Sequence, residues 1–232
     1  MERRIPLIIA ILFFVIAIHA VSQEVTQAES IQILLWADLD AYPEVMAEEK
    51  QKHPNDTVFS YPVRRLKQLA PYLITGMVYG WDFDYVPSDK MRAVEEFFEV
   101  KEKHPLGDDY KRIVYKTPWL QDNRMYCWVE FKRTPYMLSS LHSWESIVHP
   151  NIRGTGEGSV YDGFDGITQA CQQAVKDAVR NYFRSIEKNK PKELRGSVLL
   201  RKIPRLVVDS GHYVVELDFF IETSTIIKYK QY

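Results

Sequence analysis

Apolar residues recur along the chain at two spacings. From Gly76 to Val86 the odd positions Met77, Tyr79, Trp81, Phe83 and Tyr85 form one aromatic face. Alternation of that kind predicts a strand. Arg124 to Lys132 alternates too, with Met125, Cys127, Val129 and Phe131 on one face. His212 to Glu222 follows with Tyr213, Val215, Leu217, Phe219 and Ile221. Helical spacing is clearest from Ile167 to Ile186, where Ile167, Ala170, Cys171, Ala174, Val175, Ala178, Val179, Tyr182, Phe183 and Ile186 make a continuous stripe. Val63, Leu66, Leu69 and Tyr72 predict a helix opening at Pro62, with Pro71 fitting only near its end or at a kink.

Weaker signals fill the gaps. Ile31–Leu35 and Val45–Glu49 read as helical stretches interrupted at Pro43. Ser88 is placed to cap a helix carrying Met91, Val94, Phe97 and Phe98. Arg112–Tyr115 and the segment Val198–Val208, broken by Pro204, read as strands. Gln121-Asp122-Asn123 and Asp209-Ser210-Gly211 are turn signals. With Ser159–Phe164 as a shorter, glycine-containing strand before Ile167, the order strand, helix, strand, turn, strand occurs twice. The expected fold class is α+β: an N-terminal helical segment over 23–74, then two βαββ-like units at 75–135 and 158–232 with mainly antiparallel sheet. A helical and glycine-rich connector is expected over 136–157.

The first 22 residues read differently. Glu2-Arg3-Arg4 precedes an apolar run from Ile5 to Ile18, interrupted only by Pro6. That run is short for a membrane span, which takes about 20 residues. It fits a secretory signal peptide, with Ala20-Val21-Ser22 as the cleavage site and Gln23 as the mature start. An uncleaved anchor is the alternative. Cleavage takes two bases and one acid from 30 Lys+Arg and 31 Asp+Glu, so the mature chain stays near neutral. Electrostatic capture of nucleic acid or anionic lipid is therefore not expected, nor a membrane span after the signal. The 2 cysteines exclude a disulfide-dense scaffold.

Candidate chemistry is sparse. His142, Glu145 and His149 would share one face of a helix and are weak metal ligands, in a spacing that matches no zincin. Asp82 and Asp84 point the same way on a strand, as paired carboxylates or simply as its wet face. Gly154-Thr155-Gly156-Glu157-Gly158 lacks the Lys-Ser/Thr of a phosphate loop and reads as a flexible connector. There is no G-x-S-x-G elbow. Cys127 and Cys171, each on an apolar face, are either a disulfide across the two units or two separate buried thiols. Aromatic residues are the remaining candidates for binding: Tyr79, Trp81 and Tyr85 on the first strand, Trp119 beside Pro118, and Tyr126 and Trp128 opposite Cys127. No catalytic residue and no cofactor is assigned.

The block Gly76-Met77-Val78-Tyr79-Gly80-Trp81-Asp82-Phe83-Asp84-Tyr85 through Glu96-Phe97-Phe98 resembles uncharacterised spirochaete periplasmic proteins of the envelope- or flagellum-associated kind. The resemblance implies a bacterial periplasm and transfers no functional motif. The expectation is an exported, non-enzymatic cell-envelope protein that binds another envelope protein or itself. The alternatives are a periplasmic module binding a small ligand or glycan on the aromatic sheet face, and behind it a metal-dependent hydrolase.

Overall fold

The computed structural model describes residues 29–40 and 43–229, so the expected signal segment Glu2–Ser22 lies outside the described residues. The elements run β1 (Ser30–Asp38), α1 (Pro43–Lys52), α2 (Ser60–Val78), β2 (Trp81–Val86), β3 (Phe97–Glu102), β4 (Ile113–Tyr115), β5 (Trp119–Gln121), β6 (Arg124–Lys132), α3 (Pro135–Trp144), β7 (Asn151–Ser159), α4 (Phe164–Ile186), β8 (Glu193–Leu200), β9 (Arg205–Asp209) and β10 (His212–Ile227). The strands form two sheets. The smaller has the order β1-β6-β4, with β5 also on β6. The larger has the order β3-β2-β8-β10-β7, with β9 also on β10. All pairings are antiparallel, in line with the α+β class.

Helix α2 lies between the layers. One side packs on β1 and β6, the other on β8 and α4. The inner face of the small sheet supplies Ile31, Ile33, Leu35, Met125, Cys127, Val129 and Phe131, all buried. Pro71 stands inside α2, not at its end. It lacks an N–H to donate back to residue 67. The buried face on both sides of Pro71, Leu69 to Ala70 and Leu73 to Val78, holds the helix together across that gap.

Helix α4 lies across β7 and β10. Its predicted stripe is buried at Ile167, Ala170, Cys171, Ala174, Val175, Ala178, Val179 and Phe183, whereas Tyr182 is half-buried and Ile186, in the last turn, is exposed. The glycine-rich segment expected as a flexible connector is β7, and its glycines face this helix. A Cβ on Gly154 would lie 1.9 Å from the Ala174 carbonyl oxygen, one on Gly156 2.1 Å from that of Ala170, and one on Gly158 1.9 Å from that of Gly166. Two residues of strand advance ~6.7 Å and four residues of helix ~6 Å. Three glycines at i, i+2 and i+4 thus stay matched to helix carbonyls at i, i+4 and i+8. Backbone touches backbone along the seam, and any side chain there would wedge it open.

The other face of the large sheet is partly covered by α3, whose Leu141 and Trp144 cluster with Leu199 and Phe220. Thr134 caps α3 by accepting from the Met137 N–H. Two hairpins close on left-handed pairs, Asp122-Asn123 between β5 and β6 and Ser210-Gly211 between β9 and β10. Both are at the predicted turns. Positive φ at both central residues matches the strand twist.

Several expectations are corrected. Ile31–Leu35 is strand, not helix: Ile31, Ile33 and Leu35 point inward while Gln32 and Leu34 point out. A run this rich in apolar residues satisfies either period, and pairing with β6 decides it. The strand expected from Gly76 starts only at Trp81, because α2 runs on to Val78, and the strand expected over Ser159–Phe164 is a 3-10 turn, Val160–Asp162, between the end of β7 and the start of α4. The helix expected after Ser88 is a single 3-10 turn at Lys90–Arg92. Asp89, not Ser88, caps it, and Ala93 in the left-handed region ends it. Phe97 and Phe98 then enter β3. Among the described residues no α-helix lies between β2 and β6, so the first βαββ unit does not form. Its strands divide between the two sheets.

Candidate functional site

Alternation along β6 sends Tyr126 and Trp128 to the outer face of the small sheet while Met125, Cys127, Val129 and Phe131 go inward. Register brings Leu34 opposite Trp128, and places Trp36 and Trp119 on either side of Tyr126. Trp119 stacks on Tyr126, ring centroids 5.7 Å apart at an interplanar angle of 16°. Leu34 is 40% exposed, Trp128 45%, Trp119 37% and Val114 48%. The sheet thus has one face sealed by α2 and one apolar face left in contact with solvent.

Charged pairs bound this patch. Arg124 lies 4.0 Å over the Trp36 ring and bonds Asp38 at 2.9 Å. Trp36 donates its indole N–H to the Leu206 carbonyl at 3.4 Å, which ties the patch to β9. On the opposite side Lys116 pairs with Glu130 at 2.8 Å, and that contact holds the Glu130 carboxyl below its usual range. An apolar centre with aromatic rings and a charged rim is the composition of a protein interface.

Of the six aromatic residues predicted to bind, the structure brings three together here: Trp119, Tyr126 and Trp128. The other three are elsewhere. Trp81 and Tyr85 are core residues, 1% and 3% exposed. Trp81 stacks on Tyr72 at 4.9 Å. Tyr79 follows the last turn of α2 and donates to Asp109 at 2.7 Å; burial and that carboxylate push its hydroxyl up to about 12. An aromatic alternation does not reveal which face is buried, because a core and a binding surface favour the same rings. Leu34, Trp36 and Val114 were missed. The alternation in β1 was the signal for the first two.

The candidate metal ligands do not converge. Helix α3 ends at Trp144, so Glu145 caps it and His149 falls in the turn beyond. His149 packs on Trp144 with centroids 4.7 Å apart, and its Nδ1 meets the Ser143 carbonyl at 3.2 Å. Among the described residues no group of three His, Cys, Asp or Glu is placed to hold a metal ion.

The disulfide is not formed; both cysteines are free and buried. Cys127 faces α2 from the small sheet and donates to the Lys116 carbonyl at 3.3 Å. Cys171 faces α2 from the other side and bonds with Tyr72 of that helix. A helix between the two keeps them well beyond disulfide reach, since packed helix axes and layers stand ~8–10 Å apart. Burial pushes the Cys171 thiol up to about 12 and raises that of Cys127.

One polar constellation escaped the sequence. Asp82, Ser197 and Glu222 stand side by side across β2, β8 and β10. Ser197 Oγ donates to Asp82 at 2.6 Å and accepts from Lys103 Nζ at 3.1 Å. Lys103 also lies 3.8 Å from Glu222. Both bonding directions of the serine are used, its proton by a carboxylate and its lone pair by an ammonium. The set reads as a cross-strand network satisfying half-buried polar groups. An activated nucleophile would need a base oriented by a third group. Asp84, the other half of the expected carboxylate pair, bonds Arg195 at 3.1 Å instead.

A protein of Treponema pallidum (strain Nichols), described as an uncharacterized protein, is 29% identical over 203 residues, covering 88% of this chain and 83% of its own length. No solved structure matches. One protein-family model matches residues 18–229, nearly the whole chain. The chain belongs to that family, one of uncharacterised spirochaete-type proteins.

Proposed function

We propose that this is an exported, non-enzymatic cell-envelope protein that acts as a protein-interaction or assembly module, docking through the outer face of its small sheet. The observation that carries the reading is the half-exposed cluster Leu34, Trp119, Tyr126 and Trp128 opposite a fully buried face. A contiguous apolar patch on an otherwise well-packed molecule marks an interaction surface. Export rests on the charged start and apolar run of residues 2–22. The non-enzymatic reading is supported by the separation of His142, Glu145 and His149 and by the closed bonding of Ser197.

The partner is another envelope protein or a second copy. Crosslinking in intact envelope, then affinity capture, compares wild type with Leu34→Glu/Trp128→Glu. A charge in the centre of the patch is expected to abolish the crosslinked species while the circular dichroism spectrum stays unchanged. Capture by the variant at wild-type yield overturns the reading. Glycan binding is favoured by one feature, the nearly parallel Trp119–Tyr126 stack, which offers a flat ring face. Binding of oligosaccharides that Trp119→Ala removes, with no crosslinked protein in wild type, would put that reading first.

A further inference from the structure

Beside the C-terminal half of α4 is a cleft of about 250 Å³, closed on the other side by the segment following β2. Its floor is apolar, from Phe183 and Leu194, and its walls include Arg180, Arg184 and Lys188. Arg180 and Arg184 stand at i and i+4, so they fall on one side of the helix ~6 Å apart, and Lys188 follows in the segment beyond the extended C-cap Glu187. None of them makes an ion pair or hydrogen bond among the described residues. Like charges at that spacing repel in an isolated helix.

Of the acids in the cleft, only Glu96 is felt by one of these cations, Arg180, and it makes its direct bonds elsewhere. Glu96 accepts from the Tyr85 hydroxyl at 2.9 Å and pairs with Lys176 at 3.4 Å. Burial opposes its ionisation, yet Tyr85, Lys176 and Arg180 together hold it below the usual carboxylate range. Burial and Glu96 in turn push Tyr85 up to about 12, so it serves as a neutral donor. Glu187 pairs with Lys228 at 2.8 Å. Lys190, on the rim, gives its ammonium to the Ser88 carbonyl. Both carboxylates are matched by lysines from outside the lining, and the row of cations keeps a net positive charge around an apolar floor. A helix C-terminus welcomes positive charge, but that effect falls off within the last turn. Arg180 is placed more than a turn before Ile186, where it gains little from the dipole.

We propose that this cleft is a binding site for a small organic dianion whose two charged groups lie about one helical turn apart, held by Arg180 and Arg184 with Lys188 at the mouth. Guanidinium forks suit carboxylate and phosphate equally, so the shared chemistry is two oxyanions on a short apolar spacer. The volume lies just below the ~300 Å³ lower end of small-molecule sites, which limits the ligand to a compact one. The site shares no residue with the aromatic face and does not depend on it.

Calorimetric titration of the full chain with propane-1,3-diphosphonate, with glutarate and with acetate tests this. Saturable binding of propane-1,3-diphosphonate or glutarate is expected at up to about 1 mM. Whichever of the two binds tighter identifies a phosphorylated or a dicarboxylic ligand. Arg180→Gln/Arg184→Gln should weaken it about tenfold or more, since hydrogen bonds between ionised groups are the strong kind. A control with the same charge change, Lys111→Gln/Lys132→Gln, should leave it unchanged. Without ligand, Arg184→Gln should raise the melting temperature by removing repulsion. Three results overturn the proposal: no saturable binding of either dianion, equal binding of acetate, or equal weakening by the control variant.

Discussion

The two large helices rest on their sheets in opposite ways. Helix α2 meets the small sheet through side chains: Leu66, Leu69, Leu73 and Met77 on the helix, Ile31, Ile33, Leu35, Val129 and Phe131 on the strands. Helix α4 meets β7 through backbone, with Gly154, Gly156 and Gly158 under Gly166, Ala170 and Ala174. The first interface tolerates adjustment, because neighbouring side chains can move partway into a gap. The second has no such freedom, because each partner is main chain held in its own ladder. Wide contacts depend on how much apolar volume is present, close ones on where it is absent.

The largest effect is expected at the close seam. Gly156→Val places a branched side chain where even a Cβ would sit 2.1 Å from the Ala170 carbonyl. The helix must lift away, and stability should fall by more than about 5 kcal/mol, beyond the range of ordinary substitutions. Gly156→Ala should cost about 3 kcal/mol, the upper part of the overpacking range. Urea unfolding measures both; a variant with a wild-type midpoint would show that the seam is not close-packed.

At the side-chain interface, Phe131→Ala removes a ring that is fully buried. The expected cost is about 3–5 kcal/mol, with the fold retained. A smaller effect than for Gly156→Ala would sharpen the contrast differently, by showing that the small sheet collapses around the cavity.

The cysteines report on the two helices separately. Cys127 faces α2, and Cys171 lies on α4. In native protein neither thiol should react with iodoacetamide at pH 8, since both are buried and their thiolates disfavoured. In unreduced, unfolded protein both should be alkylated, as read by intact mass. Gly156→Ala should expose Cys171 to label before Cys127. A single unlabelled pair would instead restore the disulfide.

Acid should act on the solvent side of β10 and not on either seam. Arg201 bonds Asp218 at 2.8 Å, and Arg153 at 2.9 Å from the other side. The Arg201 contact, against some burial, holds Asp218 below the usual carboxylate range. The unfolded chain, with Asp near 3.9, therefore binds more protons than the native one. This contribution is complete above about pH 4 and disappears as pH falls through the lower native value. Asp218→Asn should flatten that limb of a stability-against-pH curve; an unchanged limb would assign acid sensitivity elsewhere.

Trp128→Ser should change stability least, by no more than about 0.5 kcal/mol, because the residue is half-exposed and away from both helices. A larger drop by thermal melting would show that the outer face is part of the fold and not a free surface.

Periodicity by itself determined α4, β6 and β10 and both tight hairpin turns, because each carries a long stripe or a two-residue turn signal that no alternative geometry satisfies. It also determined that Cys127 and Cys171 face apolar surroundings. What it left open was decided by tertiary contact. Ile31–Leu35 is apolar enough for helix or strand, and only the ladder with β6 makes it β1. Phe97 and Phe98 suit a helix face until β2 offers an edge to pair with. Glycines at alternate positions look like a flexible linker in one dimension; a helix laid on them at backbone distance turns them into a strand. The exposed half of the aromatic residues was equally undecided, since rings that bind and rings that pack share one chemistry. The difference between Trp81 and Trp128 is only which side of its sheet a helix covers.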